Sequence, residues 1–240
     1  MSPALNIEGR VVAIAGAGGG LGPSVVKRLG NAGAVVCASD VAAERIERLG
    51  SQLGLGSDRF DARAVDLLGE AAARSWRDAL LERFGRVDAL LHLVGGWRGG
   101  VALAEAPLND YEWLHDLLVR TVQHATRAFR DALADAGGSF ALVSSAQAQR
   151  PSGTNAAYAA AKAAAEAWTL ALADDLREAG SRARANVVVV NAILTPEMRE
   201  RNPDKEYRAF TRAEDIAEAL AFLCSDAAAK MNGQRLSLHP

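Results

Sequence analysis

Short, nearly continuous apolar runs alternate along the chain with longer stretches whose apolar residues recur at helical spacing. Val11–Ala15, Ala34–Ser39, Ala89–Val94, Phe140–Ser144 and Asn186–Val190 have the composition of strands buried on both faces, and Arg63–Val65 and Arg235–Leu238 are weaker candidates. The intervening periodicity predicts helices over Gly22–Gly30, Ala43–Leu53, Glu70–Phe84, Tyr111–Ala134, Ala156–Glu178 and Ala213–Leu223. Strands that alternate with helices imply repeated βαβ units around a parallel sheet. The expected fold is therefore α/β: a doubly wound parallel sheet of about seven strands with helices on both faces, binding its ligands beyond the carboxyl ends of the strands.

With 240 residues, of which 50% are apolar, the chain can bury one substantial core, and residues 1–240 are expected to form a single domain. No internal repeat, Pro/Ser-rich linker or long charge run marks a boundary. A net charge of -2, with basic residues scattered from Lys27 to Arg235, leaves no footprint for nucleic acid or an anionic membrane. The expected partner is a small molecule. No apolar run approaches the roughly 20 residues that span a bilayer, and the first residues lack a signal-peptide pattern, so a cytoplasmic location is expected. Cys37 and Cys224 lie in apolar surroundings without metal-ligand spacing; both read as small buried hydrophobes, and no metal site is expected.

The chemistry is concentrated in a few positions. Tyr158 and Lys162 are four residues apart and share a helix face, so the ammonium can lower the phenol pKa and make it a usable proton donor. Ser145 precedes Tyr158 by thirteen residues. Gly16, Gly20 and Gly22, with Leu21 between the last two, come after the first strand and open a helix, where backbone N–H groups can approach a pyrophosphate. This is a Rossmann-like arrangement. Asp40 closes the second strand, 24 residues after Gly16, where a carboxylate accepts from ribose hydroxyls and repels a 2′-phosphate; NAD(H) is thereby favoured over NADP(H), although Asp40 also reads as a helix cap. Asp66, after the third strand, is placed to meet an adenine or to cap the next helix. Gly95, after the fourth strand, would let a ribose lie against the backbone.

Taken together, Ala15-Gly-Ala-Gly-Gly-Gly-Leu-Gly22, Ser145, Tyr158-x-x-x-Lys162, Thr195-Pro196, Arg212-Ala-Glu-Asp-Ile-Ala217 and Asn232-Gly-Gln resemble the short-chain dehydrogenase/reductase family from Gly9 to about Leu238. The resemblance implies an NAD(P)-dependent oxidoreductase that moves hydride between nicotinamide and a small carbonyl, alcohol or conjugated C=N compound. It further implies that Tyr158 is the general acid/base, that Ser145 hydrogen-bonds the substrate oxygen, and that Lys162 holds the nicotinamide ribose. Ile193 and Thr195 match positions that contact the carboxamide, and a homodimer or homotetramer through the helices at Tyr111–Ala134 and Tyr158–Glu178 is implied as well.

Some positions depart from the family pattern. His92-Leu-Val-Gly95 stands where NNAG is usual, and His92 reads as a packed or hydrogen-bonded sheet residue. Arg120 stands where relatives carry a helix asparagine that takes part in a proton relay. Val190-Asn191 replaces Pro-Gly. Gly95-Gly-Trp-Arg-Gly-Gly100 and Thr195-Pro-Glu-Met-Arg199, with Pro203, Tyr207 and Phe210 beyond them, are similar to segments of the dihydropteridine reductases, whereas Ser145 departs from that branch. The lost asparagines leave one alternative open, a dinucleotide-binding sensor or scaffold with weakened chemistry.

Overall fold

The computed structural model describes residues 5–239. Seven strands form one parallel sheet: β1 (Val11–Ala15), β2 (Val35–Asp40), β3 (Phe60–Ala64), β4 (Ala89–His92), β5 (Ser139–Ser145), β6 (Arg184–Val190) and, last in the chain, β9 (Arg235–Ser237). Their order is β3-β2-β1-β4-β5-β6-β9, so successive crossovers run outward in opposite directions from the β1/β4 junction. That junction is the switch point at which a doubly wound sheet leaves a crevice for a ligand.

The apolar runs are strands because both of their faces are covered. All residues of β1, β5 and β6 are buried. Within β1, Val12 and Ile14 pack into one core with α1 (Gly22–Asn31), α2 (Ala43–Gln52) and α8 (Ala213–Cys224), whereas Val11, Ala13 and Ala15 face the other. That second core is closed by α3 (Glu70–Phe84), α5 (Thr121–Ala136) and α6 (Ala156–Glu178). Cys37 and Cys224 are fully buried, and burial pushes each thiol up to about 12, which makes both inert.

Three local differences from the sequence reading have physical causes. β3 starts at Phe60 rather than Arg63: Phe60 and Ala62 pack on the first core, while Asp61 is buried in ion pairs with Arg63 and Arg83, and this polar residue masks the strand pattern. The helix expected over Tyr111–Ala134 begins at Leu108 as α4 (Leu108–His115), passes through one π turn at Asp116–Arg120 and continues as α5. A short parallel pair, β7 (Ala192–Leu194) and β8 (Phe210–Arg212), flanks α7 (Pro196–Arg201). Two three-residue strands are too short for periodicity to reveal.

Candidate active site

The chain segments leaving β1, β2, β4, β5 and β6 border one cleft of about 810 Å³. At one end lies the glycine turn. Gly16 has φ +80, and a Cβ there would stand 2.7 Å from the Val94 nitrogen, so any side chain would push β1 and β4 apart. A Cβ on Gly22 would stand 1.8 Å from the Ala17 carbonyl oxygen, so α1 can start tight against the turn only with glycine there. No side chain caps α1, whose first N–H groups adjoin Gly20 and Leu21 at the cleft wall. Such a helix end favours an anion.

Both aspartates line the cleft, and neither caps a helix. Asp40 Oδ2 accepts from the Gly18 N–H at 3.0 Å and Oδ1 from the Ala42 N–H at 3.3 Å, fastening β2 to the glycine turn. Asp66 Oδ1 accepts from the Leu68 N–H at 2.9 Å, a local turn that ends before the α3 cap at Gly69. Gly95 also lines the cleft, and a Cβ there would meet nothing nearer than 3.7 Å, so its smallness leaves room in the cleft rather than relieving a clash.

At the other end, Ser145 closes β5, and Tyr158 and Lys162 occupy the first two turns of α6. All three border the cleft. Lys162 is 6% exposed, and its Nζ donates to the Val143 carbonyl at 2.9 Å. Burial lowers this ammonium to about 8, and the Glu166 carboxylate works in the opposite direction. The expectation that Lys162 acidifies the phenol is not met: burial raises the Tyr158 pKa, and a hydrogen bond with the Ser145 hydroxyl, not the lysine, offsets it. Nζ lies 6.0 Å from the centre of the Tyr158 ring, held away by Val143. The phenol therefore keeps its proton at neutral pH and is available as a donor.

Ile193 and Thr195 complete the wall facing the glycine turn. The Thr195 hydroxyl accepts from the Met198 N–H at 3.3 Å and so caps α7, while its Cγ2 lies 3.1 Å from where a Gly20 Cβ would stand. The spacing Thr195-Pro196 is a helix-start signature that the periodicity reading passed over.

Comparison with known proteins agrees with this geometry. A family model described as enoyl-(acyl carrier protein) reductase matches residues 16–238. The 7alpha-hydroxysteroid dehydrogenase of Escherichia coli K12 is 29% identical, over 98% of this chain and 94% of its own length. The crystal structure of a 3-ketoacyl-(acyl-carrier-protein) reductase from Brucella melitensis, complexed with NADH, superposes with TM-score 0.84 at 29% identity and covers 98% of each chain. A short-chain type dehydrogenase/reductase from Mycobacterium ulcerans reaches TM-score 0.87 at 23% identity, over 98% of this chain and 90% of that one. This chain is a short-chain dehydrogenase/reductase. It is thus an oxidoreductase of that family.

Members of the short-chain dehydrogenase/reductase family work with a nicotinamide dinucleotide, and the residues present fit one. A turn that excludes side chains, an uncapped helix end and a lysine with two protons left to donate border the same cleft. The relatives include a 7alpha-hydroxysteroid dehydrogenase and a 3-oxoacyl-[acyl-carrier-protein] reductase; the likeness to dihydropteridine reductases rests on the two sequence segments alone.

The departures from the short-chain dehydrogenase/reductase pattern have structural consequences. The π turn inserts an extra residue into the helix and rotates the residues beyond it. Arg120, the last residue of that turn, lies at the surface, where its Nε pairs with Asp116 at 2.8 Å, and the next residue, Thr121, 3% exposed, borders the cleft. His92 is fully buried, and its ring meets the Thr121 backbone without a well-formed hydrogen bond. Burial and the nearby Lys162 charge lower its pKa to about 3, so it is a neutral packed group. Sequence reasoning also missed Gln147 and Asn155, both in the cleft wall. Asn155 was legible as a helix-start residue, yet its side chain does not cap α6.

Proposed function

We propose that the protein transfers hydride between NAD(H) and a small carbonyl, alcohol or conjugated C=N compound, with Tyr158, Ser145 and Lys162 as its catalytic residues. The observation that carries this reading is the meeting of a protonated Tyr158 with Ser145 and Lys162 in the cleft that begins at the glycine turn. A dinucleotide held by the glycine turn and Lys162 would supply the hydride that reduces the carbonyl carbon. As alkoxide charge develops, the Tyr158 hydroxyl gives its proton to the substrate oxygen, and the Ser145 hydroxyl donates a second hydrogen bond to it. Below about pH 8 the Lys162 ammonium is charged, and the two protons not used on Val143 are free to hold ribose hydroxyls.

The preference for NAD(H) over NADP(H) rests on charge. Asp40 stands at the end of β2 beside Val41, which is 72% exposed and apolar, and among the described residues Lys162 is the one cation bordering the cleft. A 2′-phosphate beside Asp40 would face a carboxylate with no cation in the adjoining cleft wall, which leaves Arg45 outside that wall as the nearby residue able to offset it. Among the described residues no helix is long and apolar enough to cross a membrane, and we read the enzyme as cytoplasmic, assembled as a homodimer or homotetramer through α5 and α6.

Tyr158→Phe tests the reading. Dinucleotide binding measured by calorimetry is expected to persist while turnover of a reducible ketone falls on the order of 10²–10⁴-fold. Unchanged turnover would remove Tyr158 from the chemistry, and binding without turnover in the unmodified protein, across ketones and quinonoid dihydropterins, would favour a dinucleotide sensor.

A further inference from the structure

The loop after β4 is built around a tryptophan. Trp97 is 59% exposed, an unusual exposure for a large aromatic, and it borders the cleft. It is nevertheless held in place. Its Nε1 donates to Asn155 Oδ1 at 2.9 Å, and Asn155 is the residue just before α6, one turn ahead of Tyr158. Asn155 leaves the helix end uncapped and uses its Nδ2 on the Ser152 hydroxyl at 2.8 Å, so its whole amide serves to hold the loop.

The rest of the loop is braced in the same manner. The Gly100 N–H donates to the Thr154 carbonyl at 2.7 Å. A Cβ on Gly99 would stand 2.4 Å from Asn155 Oδ1 and 3.2 Å from the indole, so glycine lets the ring lie back on its own loop. The Arg98 guanidinium lies 4.1 Å from the centre of the Trp113 ring and pairs with Asp110 at 3.0 Å. The indole is thus a fixed, open surface over the turn that carries the proton donor.

Charge around this surface is sparse. No arginine borders the cleft among the described residues. Arg98 is committed to Asp110, Arg199 faces Glu214 at 3.7 Å, and Arg208 pairs with Glu206 at 2.7 Å. A phosphorylated or carrier-bound substrate would find no guanidinium in the cleft wall to meet its charge. A flat uncharged ring would find an aromatic wall, with the Gln147 side chain as a polar neighbour.

We propose that Trp97 is a specificity-determining residue that selects an uncharged, planar, ring-bearing carbonyl compound by stacking it on the indole while the carbonyl meets Tyr158. This rests on the oxidoreductase reading above. The test compares kcat/KM with NADH for isatin (a flat neutral diketone), diacetyl (acyclic) and acetoacetyl coenzyme A (charged thioester). Isatin is expected to exceed both others by at least about tenfold. Trp97→Ala is expected to cut the isatin-to-diacetyl ratio by about 10-fold or more, equivalent to losing one stacked ring. Trp97→Phe should retain most of the ratio. Asn155→Leu, which frees the indole without removing it, should lower the ratio in the same direction. Preference for diacetyl or the thioester, or a ratio unmoved by both Trp97→Ala and Asn155→Leu, overturns the inference while leaving the oxidoreductase reading intact. NADH binding with no turnover of isatin overturns the inference, and no turnover of the wider panel of ketones and quinonoid dihydropterins as well overturns the proposed hydride transfer.

Discussion

The glycine turn and the corner between β4 and α5 border the same cleft, and they are made by opposite means. At the turn, the shape depends on atoms that are missing: Gly16 and Gly22 occupy positions where a Cβ would fall 2.7 Å from Val94 and 1.8 Å from Ala17. At the corner, the shape comes from what has been packed in: a fully buried His92, and a π turn that leaves Arg120 at the surface and Thr121 at the cleft. A backbone that forbids side chains admits one residue type, so its motif is invariant in kind. A buried corner admits several packings, so it can diverge without losing the fold.

The sharpest way to break the first region is Gly22→Ala. The added methyl meets backbone rather than a flexible side chain, so α1 must move off the turn. Stability should fall by on the order of 3 kcal/mol. Dinucleotide affinity should fall about 100-fold or more, measured by calorimetry on whatever fraction folds. Gly95→Ala is the matched control, since a Cβ there finds open space to 3.7 Å. Equal tolerance of both alanines would show that the turn is not held by exclusion.

This contrast also explains what was readable in the sequence. The order of strands and helices and the glycine turn come from local pattern, because β1, β5 and β6 are buried along their whole length, whereas the grouping of Ser145 with Tyr158 and Lys162 came from the family resemblance. Asp40 and Asp66 were visible as the residues that follow the second and third strands; the Asp66 bond to Leu68 is a local turn, whereas the Asp40 bond to Gly18 depends on tertiary approach. The phenol's raised pKa was invisible for a related reason: it comes from burial and from where Val143 draws the lysine, neither of which is encoded by the four-residue spacing. The π turn could not be counted from a helical repeat that assumes no insertion. Trp97 was visible as a residue between glycines; its tie to Asn155 spans 58 positions and was not.

His92 offers the next largest effect, at the second region. Its pKa is about 3 in the folded protein against 6.5 for an ordinary imidazole, so between these values the unfolded chain binds more protons. Stability therefore declines as pH falls from 6.5 toward 3, by on the order of 3 kcal/mol at pH 4 from this residue alone. Acid unfolding sums contributions from the whole chain, so the informative quantity is a difference. His92→Gln should lose less stability than the parent between pH 6.5 and 4 in urea unfolding, whatever its absolute stability. Parallel curves would mean that the imidazole is already protonated or solvated in the folded state.

A smaller effect probes the charge at the end of the first region. Asp40→Asn keeps an oxygen for the Gly18 N–H and removes the negative charge; adding Val41→Arg supplies a cation at an exposed neighbour. The ratio of kcat/KM for NADH over NADPH should fall by roughly 10- to 100-fold in the double variant, the scale of one charge-assisted pair gained and one repulsion lost. A ratio that stays fixed would place cofactor discrimination somewhere other than Asp40.

The smallest expected effect bears most directly on the corner. If the π turn has turned Arg120 out to solvent, then Arg120→Ala removes one exposed pair with Asp116, 48% exposed on each side, worth about 0.3–0.5 kcal/mol. Turnover and its pH profile should not change, since the guanidinium borders no part of the cleft. Thr121→Val, nearly the same size, removes a hydroxyl that donates to the Leu117 carbonyl at 2.6 Å beside the cleft. A several-fold loss of turnover there, without a matching loss on Arg120→Ala, assigns the polar position of the corner to Thr121. The reverse order would mean that the helix keeps its regular phase in solution and that Arg120 faces inward.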